Sequence, residues 1–183
     1  MENLGLKYQY SISKGDKIMH NSGIIECHSF VKGWIVYLYR TIGGAYSMSL
    51  KDTENTTRNA VYSKIRLNSG AGTTTYGSVV GTGTNAVTLA DYALQTKIAH
   101  GSGSGQLQYS ACTVAAPGYT ASTITETITR IFTNAFGGTI TINEIGLYGY
   151  SAYFYYCIAR DLATIALTDG AQLTLNYIVQ VSI

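Results

Sequence analysis

The amino-acid sequence predicts a mainly β domain, an antiparallel β-sandwich or jelly-roll-like fold with one packed N-terminal helix. Three observations predict it. Residues 122–183 alternate apolar and polar side chains almost without interruption, the period-two signature of strands with one buried face. About eight short strand patterns are separated by turn signals, as in sandwiches and jelly rolls. A four-residue apolar recurrence stands out once, at Phe30, Trp34 and Leu38. The 183 residues make a single domain, in which residues 1–60 form a strand-and-helix extension packed on a sandwich of residues 61–183. A chain of this length buries roughly 70% of its unfolded surface, so its core needs no staples.

In chain order, Leu6–Ile12 alternates weakly and runs into the turn Lys14-Gly15-Asp16. Lys17–Cys27 offers two short strands broken at Asn21-Ser22-Gly23. The helix follows. Ser29 caps it, Val31, Ile35 and Ile42 flank the Phe30–Trp34–Leu38 stripe, Trp34 is its largest anchor, and Gly43-Gly44 ends it. Lys51–Asn59, the most polar segment, reads as an exposed loop, and Val61–Leu67 as a strand. Residues 68–85 are rich in Gly, Thr and Ser around Val79-Val80, and Thr88–Leu94 fits one short helical turn capped by Thr88 or Asp91. The Gly/Ser tract from His100 to Gly105 predicts a flexible loop or extended arm, Gln106–Val114 a strand, and Pro117-Gly118 a turn.

The last third is the most regular. Ile124, Ile128 and Phe132 share a face with Glu126 and Arg130, an expected ion pair, while Thr123, Thr125, Thr127 and Thr129 take the other. Asn134–Gly138 reads as a hairpin loop joining Ser122–Phe132 to Thr139–Tyr148. Tyr153–Arg160 is a continuous apolar strand, and Thr168-Asp169-Gly170 turns into the final one, Leu173–Ile183.

Composition narrows the function. Charged residues are only 12% against 46% hydrophobic, about half the usual charged share of roughly 25%. Thr, Ser, Asn, Gly and Tyr must therefore cover the surface, and a weakly charged surface resists self-association poorly. The net charge of +2 comes with no basic run, which argues against dedicated nucleic-acid binding. No apolar stretch approaches the ~20 residues of a membrane span, and Met1–Tyr10 lacks the apolar region of a signal peptide. Synthesis and folding in a reducing cytoplasm are expected. Cys27, Cys112 and Cys157 are distant, odd in number and without Cys-x-x-Cys spacing. Cys112 and Cys157 are read as small buried hydrophobes.

No constellation of catalytic residues stands out. Gly81-Thr82-Gly83-Thr84-Asn85-Ala86 has the letters of a dinucleotide loop. It lacks the following helix and the acid about 20 residues on that holds a ribose, so it reads as a turn. His20, His28 and His100 make no triad with a serine elbow, and Gly101-Ser102-Gly103-Ser104-Gly105 lies in a flexible tract. Glycoside hydrolysis needs two facing carboxylates. Glu126 and Glu144 are the only pair the expected hairpin would bring together, and Glu144 reads instead as a bulge marker before Gly146. Asp52 and Glu54 lack a calcium-loop register. The expectation is no catalytic residue, no cofactor and no metal site. Tyrosine occurs 16 times and favours interfaces, giving large contact area at low entropic cost. Tyr148, Tyr150, Tyr153 and Tyr155 are the candidate assembly residues.

Several segments form one pattern: Gly81-Thr82-Gly83-Thr84 followed by Leu89-Ala90-Asp91-Tyr92-Ala93-Leu94, then Ile131-Phe132-Thr133-Asn134, then Ile140-Thr141-Ile142-Asn143-Glu144-Ile145-Gly146-Leu147-Tyr148. Ile158-Ala159-Arg160-Asp161-Leu162, the strand after Asp169-Gly170, and His28-Ser29-Phe30-Val31 extend it over most of residues 28–183. Together these segments resemble tailed-bacteriophage virion structural proteins. The resemblance lies in fold-determining positions and carries no catalytic motif. It implies a non-enzymatic virion subunit of the head surface, neck or tail, whose partners are copies of itself and other virion proteins. Phe136-Gly137-Gly138 and Tyr153–Tyr156 depart from the pattern. Exposed aromatics suggest a second expectation, a glycan-binding module of a tail fibre or tail tip.

Overall fold

The computed structural model describes residues 3–27, 49–59 and 65–182. The expected helix from Ser29 to Gly43, with Trp34, and residue His28 lie outside the described residues. Within them the chain is mainly β and its strand pairings are antiparallel. The strands are β1 (Asn3–Lys14), β2 (Lys17–Asn21), β3 (Ile25–Glu26), β4 (Ser49–Lys51), β5 (Thr57–Asn59), β6 (Gly77–Gly81) and β7 (Gln108–Tyr109). They continue as β8 (Thr113–Val114), β9 (Gly118–Tyr119), β10 (Thr123–Thr133), β11 (Ile140–Ser151), β12 (Phe154–Leu167) and β13 (Gln172–Ser182).

The larger sheet runs β2-β1-β13-β10-β7, with β3 on β1 and β8 and β9 on β10. Two of its long strands, β10 and β13, are those whose alternation is strongest. Leu173, Leu175 and Tyr177 of β13 are buried in register with Phe132, Arg130 and Ile128 of β10. On the other side β13 pairs with β1, from Asn3↔Ser182 to Ser13↔Gln172. The N-terminal strand is therefore an inner member of the sheet. The smaller sheet, β12-β11-β6, supplies Val79, Val80, Ile142, Leu147, Ile158 and Ile165 to the same apolar core. Burial of each such side chain contributes about 1.5–3 kcal/mol.

The long polypeptide between β6 and β7 packs on the smaller sheet: Leu94 lies against Gly146, and its N–H donates to the Tyr148 hydroxyl. That sheet is covered on both sides, which is why β11 is buried through most of its length. The larger sheet keeps an outer face of Thr125, Thr127, Thr129, Thr174 and Asn176, all half-exposed. The Lys7–Glu26 ion pair, 3.0 Å, ties β1 to β3.

Several local expectations change. The segment Asn134–Gly138 is no hairpin loop: β10 belongs to the larger sheet and β11 to the smaller. Asn134, fully buried, sets that crossing by donating from Nδ2 to the carbonyls of Gly138 and Leu167, both at 2.7 Å. Its Oδ1 accepts from the Phe136 N–H. Lys51–Asn59 holds a small hairpin, β4–β5, closed by Asp52, whose carboxylate accepts from the N–H groups of Glu54 and Thr56 and from Arg58. Thr88–Leu94 is a turn rather than a helix, with the Thr88 N–H and hydroxyl both donating to Asp91. Gln106–Val114 is split into two short strands, each pairing with β10.

Candidate functional site

Three regions concentrate side chains able to bind or react. The first is ionic and interior. Glu144 sits in β11 just after a register shift against β12, so its carboxylate points into the loop layer. It is fully buried. Oε1 accepts from the N–H groups of Gly83 at 3.1 Å and Thr96 at 2.8 Å; Oε2 accepts from Gln95 N–H at 3.0 Å and Arg160 Nε at 2.8 Å. Arg160 also donates to Asp91 at 2.8 Å and to the Asn85 carbonyl at 2.9 Å. The glycine pattern has its explanation here. A Cβ on Gly81 or Gly83 would stand 2.5 or 2.6 Å from Glu144 Oε1. The loop does cradle an anion through backbone N–H groups, but the anion is the chain's own.

Electrostatics follow the geometry. Burial alone would lower the Arg160 guanidinium, but hydrogen bonds and charge from Glu144 and Asp91 hold it above its ordinary value. Burial would raise Asp91, yet the Thr88 and Arg160 donors keep it below the usual carboxylate range. With four donors on its two oxygens, Glu144 has no lone pair left for a substrate. Glu126 lies on the other sheet, at the mouth of a cavity of about 320 Å³ with Leu6, Leu147 and Val179. The pair of carboxylates is thus not brought together.

Arg130 departs from expectation in the same way. It makes no ion pair with Glu126 among the described residues. Fully buried, it donates to five backbone carbonyls, those of Ser110, Tyr76, Ser78, Gly70 and Thr73. Its guanidinium lies over the Tyr109 ring at 4.8 Å. Desolvation lowers its pKa, though a guanidinium remains charged in proteins. Among the described residues no group of three or more His, Cys, Asp or Glu is placed to hold a metal ion. No described helix is long and apolar enough to cross a membrane.

The second region is aromatic. The structure separates the four candidate tyrosines. Tyr148 is 2% exposed and belongs to the core; burial pushes its phenol well up. Tyr150 and Tyr155 face each other across β11–β12, ring centroids 5.4 Å apart, and Tyr76 packs on both at 5.5 and 6.0 Å. Tyr76 lies in the Gly/Thr-rich stretch, where no periodicity marked it. Tyr153 is 86% exposed at the hairpin tip. Ala152 and Tyr153 form a two-residue turn with φ of 49° and 73°. Positive φ at both central residues is the demand of a type I′ turn, which favours Asn-Gly. For residues with a Cβ that conformation costs roughly 1–2 kcal/mol each.

The third region is the cavity of about 500 Å³ beside this hairpin, lined by Leu50, Leu89, Ala90 and Tyr92 with Lys51 and Asp91. Leu50 packs with Tyr156, and the Thr53 N–H donates to the Tyr155 carbonyl at 3.0 Å, so tip and cavity adjoin. Sequence patterns gave no sign of it, because its walls come from three separate segments. Comparison with protein families, characterised proteins and solved structures finds no match for the chain.

Proposed function

We propose that the chain is a non-enzymatic structural subunit of a tailed-phage virion, self-assembling in multiple copies and docking on other virion proteins of the head surface, neck or tail. In this reading the two sheets close as an antiparallel sandwich of jelly-roll kind. The observation that carries the reading is the character of the surface. Ile18, Met19, Ile24, Leu89, Tyr119, Ile124 and Tyr153 are exposed while the outer threonine face is almost uncharged. A surface with so few charges resists self-association poorly and is suited to burial against neighbours. Among the described residues Glu144, Asp91 and Arg160 are engaged in tying loops to sheets. Imaging of a native particle tests the reading: density for many copies of this fold supports it. Density for none, with a compact monomer at high concentration, overturns it.

A second reading is recognition of glycans, favoured by the Tyr76–Tyr150–Tyr155 cluster next to exposed Tyr153. Aromatic faces stack on the C–H faces of sugars. A glycan array with the wild type and a Tyr153→Ala/Tyr155→Ala variant decides it. Binding lost in the variant supports recognition; no binding by either removes it.

A further inference from the structure

We propose that the Ala152–Tyr153 tip joins two copies of this chain, the Tyr153 ring of one seated in the cavity formed by Leu50, Leu89, Ala90 and Tyr92 of the other. The inference rests on the reading that the chain self-assembles, and it names the contact.

The argument starts from what the fold does not need. A two-residue hairpin turn with both central φ positive is satisfied best by Asn-Gly, yet Ala152 and Tyr153 occupy it at φ 49° and 73°. Tyr153 is 86% exposed, and among the described residues it makes no hydrogen bond or ring contact. Among the described residues the ring therefore adds no bond to the fold that holds it, while its backbone opposes that fold. Strain held at an exposed position points to use outside the chain. A large rigid aromatic projecting from a hairpin is the kind of group that anchors protein contacts by filling a pocket.

A pocket of matching chemistry lies on the same chain. The cavity of about 500 Å³ has room for a phenol ring. Its walls are apolar where Leu50, Leu89, Ala90 and Tyr92 meet, with Lys51, which donates to Asn55, and Asp91, which is held by Thr88 and Arg160, at its edge. Leu89 is 74% exposed at its rim. No charged residue occurs from Ser151 to Cys157, and Asp91 is already paired with Arg160, so approach of the tip meets no like charge. Because tip and cavity adjoin, one twofold axis can satisfy both at once, each copy giving a ring and receiving one. A buried tyrosine covers about 150–250 Å². Two of them cover roughly 300–500 Å², well short of the roughly 1,200 Å² of a stable interface, so the contact is a weak one suited to subunits held by several such contacts.

Sedimentation equilibrium of the full chain over a concentration series tests this with three variants. Ala152→Asn/Tyr153→Gly keeps the turn and removes the ring, Tyr153→Phe removes only the hydroxyl, and Ala90→Trp fills the cavity. We expect a wild-type dimer whose Kd rises at least 10-fold in the first and third variants and less than 3-fold in Tyr153→Phe. Thermal unfolding and near-ultraviolet circular dichroism of the tip variant check that its fold is retained. Wild type and tip variant associating equally would overturn the contact while leaving self-assembly intact. A wild type that stays monomeric throughout overturns the contact and the self-assembly together. Sugar binding that depends on Tyr153, with no dimer, overturns it in favour of a glycan partner.

Discussion

Replacing Glu144 by Gln changes one oxygen to an NH2 and little else in shape, and so isolates what the carboxylate does. Four donors converge on it: the N–H groups of Gly83, Gln95 and Thr96 and the Arg160 Nε. An amide offers an acceptor to two of them and sets its own N–H groups against the other two. Each buried donor left without an acceptor costs about 1–3 kcal/mol. Breaking a buried ion pair by removing one partner costs about 3–5 kcal/mol. We therefore expect Glu144→Gln to lose about 4 kcal/mol of stability. At roughly 2–4 °C per kcal/mol for a chain this size, that lowers Tm by roughly 10 °C. Urea unfolding should show a lower midpoint with an unchanged slope, because the surface exposed on unfolding is the same. Hydrogen exchange adds a local signature, faster exchange at Gly83, Gln95 and Thr96 before the strand amides respond. A loss below 1 kcal/mol, or unchanged exchange at those three amides, would refute the anion-cradle account.

Other consequences follow from the same contacts. Arg130→Ala should cost about 4 kcal/mol or more, since five carbonyls lose a charged donor in a buried site, measured by the shift of urea midpoint. Ala152→Asn with Tyr153→Gly should raise stability by about 1–2 kcal/mol through relief of the turn, visible as a higher Tm. Asp52 and Asp91 are both held below the ordinary carboxylate range. Their contribution is present above the unfolded value of about 3.9 and is lost as pH falls through the depressed folded values. Asp52→Asn should therefore flatten the fall of stability with pH below about 4, followed by urea titrations across that range. Cys112 and Cys157 are buried, and burial pushes the Cys27 and Cys157 thiols up. A thiol reagent at pH 8 should react slowly with native protein and fully after denaturation, because the thiolate is the reactive form.

How much of this was written in the sequence depends on the range of the interaction. Alternation of Ile128, Arg130 and Phe132 against threonines identified a strand and its buried face, since both are set by neighbours two residues away. It could not name the partner strand. β10 pairs with β13, Ile128 facing Tyr177, and the nearer β11 goes to another sheet because Asn134 bridges Gly138 and Leu167. A single asparagine acting across the fold leaves no periodic trace. Alternation puts Arg130 on the buried face but does not give its partners: the Gly/Thr-rich stretch holds most of the carbonyls it reaches, and carbonyls are present at every residue. Of the aromatic group, Tyr150, Tyr153 and Tyr155 were visible as a cluster in sequence. Tyr148 shared their spacing, but the register shift between Leu147 and Tyr148 alters its pairing with β12, and it lies in the core.

The interior charges also bear on the surface. At least two of the 12 Lys and Arg residues, Arg130 and Arg160, and three of the 10 Asp and Glu residues, Asp52, Glu144 and Asp161, are buried. Residues of these types are almost never buried fully unless partnered. Here the partners are loops: Arg130 gathers residues 70–78 onto β10, and Glu144 with Arg160 gathers residues 83–96 onto β11 and β12. A chain with few charges thus places a good share of them where they fix irregular backbone. Threonine, asparagine and tyrosine are left to meet the outside. Loops held by charge against a rigid sheet can present Leu89, Ala90 and Tyr92 in one fixed arrangement, which a binding cavity requires. Loss of the Arg160–Asp91 bond through Asp91→Asn should then loosen that cavity. Dimer affinity should fall with no change at the Tyr153 tip, whereas unchanged affinity would mean that the cavity walls are held by packing alone.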